Sequence, residues 1–238
     1  ERCYGHALDD PSCARNRFYR RCLEENVAKF KGYPDPHTFE YYFDQILFRG
    51  IYPYLPEIII ADMKVYQASG MQTHFSLQVA GPELAPEFNM LVFARAAWDE
   101  RLTAAGFNAW MAERLSPGNP APWRRYLEQR AAIYRQALLM CDHDLGIYLD
   151  YRWLPQTTAP FGRKIARIYR ESSGRLARAG QEFARRASGK VKSPVLARLV
   201  KTEAARARFE AAELEVMHHQ QLAMNAYGNF TDSGDERA

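Results

Sequence analysis

The chain has 238 residues, of which 47% are hydrophobic and 25% charged, so it is long and apolar enough to fold around a sizeable core. Four cysteines in this length exclude a small secreted domain that relies on cystine bridges instead of a core. No segment approaches the roughly 20 apolar residues of a membrane-spanning helix, since the best candidate, residues 51–61, is interrupted by Pro53 and Pro56. We therefore expect a folded protein without a transmembrane helix.

The first helix signal lies close to the start of the chain. Asp10 and Pro11 form a cap and a first-turn proline, which predict a helix that ends near Gly32. The apolar face of this helix would carry Phe18, Cys22, Leu23, Val27 and Phe30.

The next hundred residues also carry mostly helical patterns. A second Asp-Pro pair predicts a helix over residues 35–50, and residues 57–69 predict another. Residues 71–85 alternate weakly, but one isolated strand cannot form a sheet, so we expect an extended loop there.

A stripe at helical spacing follows Pro86 and predicts a helix that ends at Gly106. The stripe comprises Phe88, Leu91, Ala94, Trp98 and Leu102. A short helix over residues 108–115 then leads into residues 116–120, where two prolines and a glycine predict a loop.

Two longer helices follow this loop, each with a narrow apolar stripe. The stripe of the first, which ends at Gly146, comprises Trp123, Leu127, Ala131, Tyr134, Leu138, Cys141 and Leu145. The stripe of the second, which starts at Pro160, comprises Phe161, Ile165, Ile168, Tyr169, Ser172, Leu176, Ala179 and Phe183. Narrow stripes of this kind are typical of helices that pack as hairpins and bundles.

The last predicted helix begins at Ser193 and runs to about Tyr227, a length of roughly 50 Å. Because this exceeds the width of a small domain, we expect part of the helix to lie against a partner. The alternative is a projecting helix in solvent, stabilised by opposite charges such as Arg206 and Glu210.

These patterns together predict an all-α protein, an irregular helical bundle with a long C-terminal helix. We divide it into an N-terminal helical region over residues 1–118, a long-helix region over residues 119–228 and a flexible tail over residues 229–238.

The positive charge is concentrated in one segment. Residues 161–192 contain ten lysines and arginines against two glutamates, so this segment is +8 while the rest of a chain of net charge +4 is −4. We expect a binding surface for an anionic partner or lipid on one helix face, formed by Arg163, Lys164, Arg167, Arg170, Arg178, Arg185 and Arg186. A merely solvated face is the alternative. Interleaved aromatic residues are missing from this face, which makes nucleic acid a weaker candidate than acidic protein or lipid.

Two other patterns suggest chemistry. Glu215 and His218 have the spacing of a helical metal ligand pair, but a di-iron bundle needs a second such pair, and adjacent His219 points elsewhere. The segment Cys141–Asp144 contains a thiol, an imidazole and two carboxylates, but neighbouring side chains diverge on a helix. We expect no catalytic residue, no metal ligand set and no cofactor, and the protein is not expected to be an enzyme.

The four cysteines are Cys3, Cys13, Cys22 and Cys141. Cys13 and Cys22 would lie about 13.5 Å apart along one helix, beyond the roughly 7 Å reach of a disulfide. The favoured pairing is Cys3 with Cys13 and Cys22 with Cys141; the second is Cys3 with Cys22 and Cys13 with Cys141. Four thiols without disulfides remain the alternative.

The nine residues between Cys3 and Cys13 resemble half of the twin cysteine motif of small proteins of the mitochondrial intermembrane space. Some accessory subunits of respiratory complexes carry such motifs. The resemblance covers the first 30 residues or so, and a second C-x9-C is missing. It implies a non-catalytic structural subunit of a mitochondrial inner-membrane complex, an ATP synthase or a respiratory enzyme, peripheral to the membrane.

In that interpretation the long C-terminal helix docks on other subunits, and the basic segment meets acidic protein or an anionic lipid such as cardiolipin. Two other classes stay open. One is an RNA-associated helical protein such as an organellar ribosome subunit. The other is a metal-dependent enzyme working through His143 or His218, or a secreted bacterial helical domain.

Overall fold

The computed structural model describes residues 3–33, 36–44, 51–71, 73–79, 88–138, 159–188 and 193–233. Within these ranges the helices are α1 Ala14–Lys29, α2 Pro56–Ala68, α3 Phe88–Ala96, α4 Ala104–Leu115, α5 Ala121–Leu138, α6 Ala159–Ser188 and α7 Pro194–Ser233, and the strands are β1 His37–Asp44 and β2 Thr73–Val79. The predicted all-α class with a long C-terminal helix is confirmed, with a small two-stranded sheet added to it. No helix within these ranges is both long enough and apolar enough to cross a lipid bilayer.

The sheet corrects two predictions. β1 and β2 pair in parallel, and α2 connects them, so the three elements form one β-α-β unit. The helix predicted over residues 35–50 is therefore wrong at β1, and the loop predicted over residues 71–85 is wrong at β2. Each strand supplies the pairing partner that the other needs.

The described part of the stripes predicted for α5 and α6 is confirmed, because its side chains are buried except for the half-buried Ile168. Cys141 and Leu145 of the first stripe lie outside the described residues. α6 and α7 run antiparallel, since Gly180 approaches Ala207 while His218 bonds to the carbonyl of Ala166. α5 packs on α6 and inserts Trp123 against Phe183, with ring centroids 4.5 Å apart. α7 continues to Ser233, beyond its expected end, and residues 234–238 lie outside the described ranges.

Two helix predictions need correction nearer the start. α1 begins at Ala14 rather than at Pro11, because Cys13 is its N-cap, and its predicted apolar residue Phe18 is 52% exposed. The helix predicted up to Gly106 ends at Ala96, and the next helix, predicted over residues 108–115, already begins at Ala104. Trp98, placed in the predicted stripe, lies 91% exposed in the turn between them. The predicted loop at 116–120 is confirmed, with Gly118 at a φ of 77°.

Candidate functional site

A cluster of two thiols and an imidazole lies at the start of the chain. The potential ligand atoms of Cys3, His6 and Cys13 all lie within 4.8 Å of one another, and Cys3 Sγ is 3.2 Å from His6 Nδ1. All three side chains are buried. Cys3 and Cys13 therefore lie close together, and the His6 imidazole lies beside them. The predicted disulfide between Cys3 and Cys13 stays a prediction.

Asn16, in the first turn of α1, holds the loop that carries this cluster. Its Oδ1 accepts the backbone N–H of Cys3 at 2.8 Å, and its Nδ2 donates to the carbonyl oxygens of Cys3, His6 and Ala7 at 2.9–3.0 Å. The Asn16 backbone N–H points at Cys13 Sγ, 3.5 Å away. One fully buried amide thus fixes the backbone on both sides of the cluster.

Two buried carboxylates tie the same N-terminal loop to the β-α-β unit. Asp62 of α2 accepts the Leu8 N–H at 2.6 Å and the Tyr42 hydroxyl at 2.7 Å. Glu40 of β1 accepts the Tyr4 hydroxyl at 2.8 Å. The loop that carries the cysteine cluster is therefore bonded to both β1 and α2.

Of the other two cysteines, the structure describes only Cys22, which lies outside this cluster. Cys22 lies half-buried in the middle of α1. Cys141 lies outside the described residues, and so does the Cys141–Asp144 segment with His143. The predicted pairing of Cys22 with Cys141 stays a prediction.

The predicted basic surface is a continuous strip on the outer face of α6. All seven predicted residues are exposed. Five arginines, at 163, 167, 170, 178 and 185, fall within about 80° of arc and extend over roughly 33 Å. Lys164 and Arg186 lie beside this line. We call these five arginines the basic strip.

The strip is only lightly neutralised by the chain itself. Arg167 approaches Glu171 at 3.9 Å, whereas Arg186, beside the strip, forms an ion pair with Glu182 at 2.9 Å. Among the described residues, the other four arginines of the strip form no ion pair. Their charge faces outwards and is available to an anionic partner.

The outer face of α7 carries a second surface, which is apolar at its centre and is flanked by the exposed Lys201 and Arg208. Exposed or half-buried residues recur there at alternating spacings of three and four, namely Thr202, Ala205, Phe209, Ala212, Val216, His219, Ala223 and Ala226. Phe209 and Val216 at its centre are 50% and 43% exposed. We call this row the outer seam. Alternating spacings of three and four are the pattern by which one helix packs along another.

The opposite face of α7 is covered by the chain itself and contains a buried ion network that the sequence did not reveal. Arg130 of α5 donates to Glu210 at 2.6 Å and to the Tyr52 carbonyl at 2.8 Å, and lies 3.4 Å from Glu203. Tyr134 donates to Glu210 at 2.5 Å. Arg206 and Glu210, considered above as a solvent pair, are both buried.

Burial and charge set the ionisation of this network. Burial disfavours the Arg130 charge, but Glu210 and its neighbours outweigh it and hold the Arg130 pKa above its usual value. Burial raises the pKa of Glu203, with Arg130 and Arg206 opposing the shift. Burial and the Glu210 carboxylate both raise the pKa of Tyr134. The network is internally paired, which fits a structural role in holding α5 on α7.

The histidines of α7 diverge as their positions on a helix require. His218 is buried and donates from Nδ1 to the Ala166 carbonyl at 2.8 Å, whereas His219 is exposed, 3.6 Å from Glu215. His218 and Glu215 therefore contact different partners, the Ala166 carbonyl and His219.

Comparison of the chain with protein-family models, with curated protein sequences and with solved structures found no match.

Proposed function

We propose that the protein is a non-catalytic structural subunit of a larger assembly and that α7 docks on a helix of another subunit. The observation that carries the proposal is the outer seam. α7 already buries one face within its own chain, from Val200 to Asn225, and still presents Phe209 and Val216 to solvent on another.

A helix with only one partner has one apolar face and a polar opposite face. The outer seam departs from this pattern, because four of its eight positions are alanine and the two at its centre that are not, Phe209 and Val216, are apolar. Small residues let a second helix approach closely, and Phe209 and Val216 would fill the holes of that helix. Arg206 and Glu210 are buried, so they cannot serve as the solvent-exposed charge pair that the alternative of a solvated helix requires.

Two further surfaces support an assembly. The basic strip on α6 would meet acidic protein or the phosphates of an anionic lipid. On the sheet, the paired residues Phe39 and Phe75 are 56% and 50% exposed, which adds an apolar patch away from α7. Several separated contact surfaces on one small protein are typical of a subunit enclosed by neighbours.

A mitochondrial inner-membrane complex, ATP synthase or respiratory enzyme, is the assembly we propose. Its support is the resemblance of the Cys3 to Cys13 segment to intermembrane-space proteins, together with a surface suited to cardiolipin. An organellar ribosome subunit is the alternative that the same basic strip allows.

The test is native purification of the tagged full chain from its source cells. We expect the chain to elute with stoichiometric partner subunits at a mass well above its own 27.4 kDa. Val216→Lys would place a charge in the centre of the outer seam, where docking desolvates it, and we expect release of the chain from the complex.

Leu222→Lys is the matched control. Leu222 is 41% exposed against 43% for Val216, and it lies on the same helix but outside the outer seam. Lysine is a good helix former, so circular dichroism of both variants should match the parent. A monomeric parent chain without bound subunits, or equal release by both variants, would contradict the proposal.

A further inference from the structure

We propose that Cys3, His6 and Cys13 bind one zinc ion that fastens the N-terminal loop to the start of α1. Thiolates and a neutral imidazole form one of the common donor sets for zinc. Ligand atoms around a tetrahedral zinc ion lie roughly 3.5–3.8 Å apart, given bonds of about 2.0–2.3 Å. The observed limit of 4.8 Å and the 3.2 Å between Cys3 Sγ and His6 Nδ1 fit an ion between them after small shifts.

A disulfide between Cys3 and Cys13 is the competing interpretation, and the surroundings favour the metal. A disulfide joins only the two sulfurs and does not account for the His6 imidazole, whose Nδ1 lies 3.2 Å from Cys3 Sγ. Cys13 Sγ faces the amide N–H of Asn16 at the positive end of α1, a position that favours a negatively charged sulfur. Two thiolates and one Zn²⁺ have no net charge, which is the condition for burying them together.

The backbone around the cluster is already held in the shape that a metal site needs. Asn16 bonds to both the N–H and the carbonyl of Cys3 and to the carbonyl of His6, so the loop cannot swing two of the ligands apart. Such outer contacts orient metal ligands and raise affinity. The Cys-x2-His-x6-Cys spacing differs from the paired spacings of common zinc motifs, so the site is not recognisable from the sequence pattern.

The role of the ion would be structural. Three protein ligands leave a fourth position for a water molecule or another donor, but Cys3 and Cys13 are fully buried, so the ion has little access to substrate. Through Tyr4 and Leu8 the same loop bonds to Glu40 and Asp62, so the ion would connect α1 to the β-α-β unit. This proposal is independent of docking by α7, but a zinc site replaces the Cys3–Cys13 disulfide and so removes the support that the resemblance to intermembrane-space proteins lends to a mitochondrial assembly.

The experiment measures zinc in the full chain, produced with zinc present and purified under reducing conditions. We expect one equivalent per chain by elemental analysis, and a thiolate-to-cobalt charge-transfer band after replacement by Co²⁺. Cys13→Ser should lose the ion and the band. Serine is a favoured N-cap, so this variant keeps the cap of α1 and should fold. Chelation should lower the melting temperature of the parent and leave that of Cys13→Ser unchanged.

Cys22→Ser is the control, since it removes a thiol of the same helix outside the cluster and should retain one zinc per chain. Equal zinc content in the parent and Cys13→Ser would overturn the proposal. So would a metal-free parent in which peptide mapping without reductant finds Cys3 joined to Cys13. That second result would support the disulfide and the oxidising compartment instead.

Discussion

At the scale of single residues, Arg130 is the side chain on which the packing of α5 against α7 depends. It is fully buried and bonds to Glu210 and to the Tyr52 carbonyl, with Glu203 also within reach. Removing one member of a buried ion network leaves the other charges unpaired in a medium that solvates them poorly. We expect Arg130→Leu to lower the free energy of unfolding by about 3–5 kcal/mol, measured by urea titration.

Arg125→Leu is the control for this prediction, because it changes the same residue type on the same helix. Arg125 forms a 3.4 Å ion pair with Glu182, but its side chain is 56% exposed. Exposed pairs contribute about 0–1 kcal/mol, so the control should stay close to the parent. Similar losses in both variants would show that the network adds no special stability.

Helical phase separates these two arginines, but it does not identify their partners. Arg130 lies on the same face of α5 as Trp123 and Tyr134, whereas Arg125 lies on the exposed face. The acids that pair with Arg130 belong to α7, some 75 residues later, and no local pattern identifies them. For the same reason Glu203 and Glu210 resembled ordinary surface acids.

At the scale of elements, the predicted secondary structure was right where the apolar residues fit only the helical period. It was wrong at β1, where they fit both the helical period and the alternating period of a strand. In α5 and α6 the predicted stripe residues Leu127, Tyr134, Leu176 and Phe183 are all buried. β1 has aromatic residues at four of its eight positions, so both a helical and an alternating period match it. The alternation decides, since Thr38, Glu40 and Tyr42 are buried while His37 and Phe39 are exposed.

The close approach of α6 to α7 depends on a glycine. A Cβ added at Gly180 would lie 2.6 Å from the Cβ of Ala207, which is closer than two non-bonded carbon atoms approach in proteins. Gly180→Ala must therefore push the two helices apart, even though alanine favours helix formation. We expect a loss of about 1–3 kcal/mol in the free energy of unfolding, measured by chemical denaturation.

Gly174→Ala makes the same change six residues earlier in the same helix. There the new Cβ would meet only the mobile end of Arg178, at 3.4 Å. We expect this control to gain about 0.5–1 kcal/mol, from the higher helix propensity of alanine. Changes of the same sign in both variants would contradict the packing described here.

At the scale of the whole molecule, charge and apolar surface are separated. The basic strip covers the outside of α6, the outer seam follows α7, and the exposed aromatic pair lies on the sheet. The position of the basic strip was predicted because its arginines share a helical period with the opposite apolar stripe. The outer seam was not identified as such, because its alanines also suit a solvated helix and only the structure shows which face of α7 is already covered.

Because the basic strip faces outwards on α6, we expect the intact chain to bind an anionic surface through it. Lipid vesicles containing cardiolipin should bind the parent, vesicles of neutral lipid should not, and binding should weaken as salt is added. Each basic side chain near such a surface contributes about 1 kcal/mol, so changing Arg163, Arg170 and Arg178 together to Glu should weaken binding by roughly 100-fold or more. Glutamate favours helix formation, so α6 should persist in this variant.

The control changes three exposed arginines on other elements, Arg21, Arg101 and Arg124, to Glu. It alters the net charge by the same amount, from +4 to −2, but leaves the strip intact, so it separates a local surface from the overall charge. Vesicle binding lost equally in both triple variants would mean that net charge alone is responsible. A parent chain that ignores cardiolipin yet binds RNA, with an affinity that falls steeply with salt, would favour the ribosomal alternative over the membrane complex.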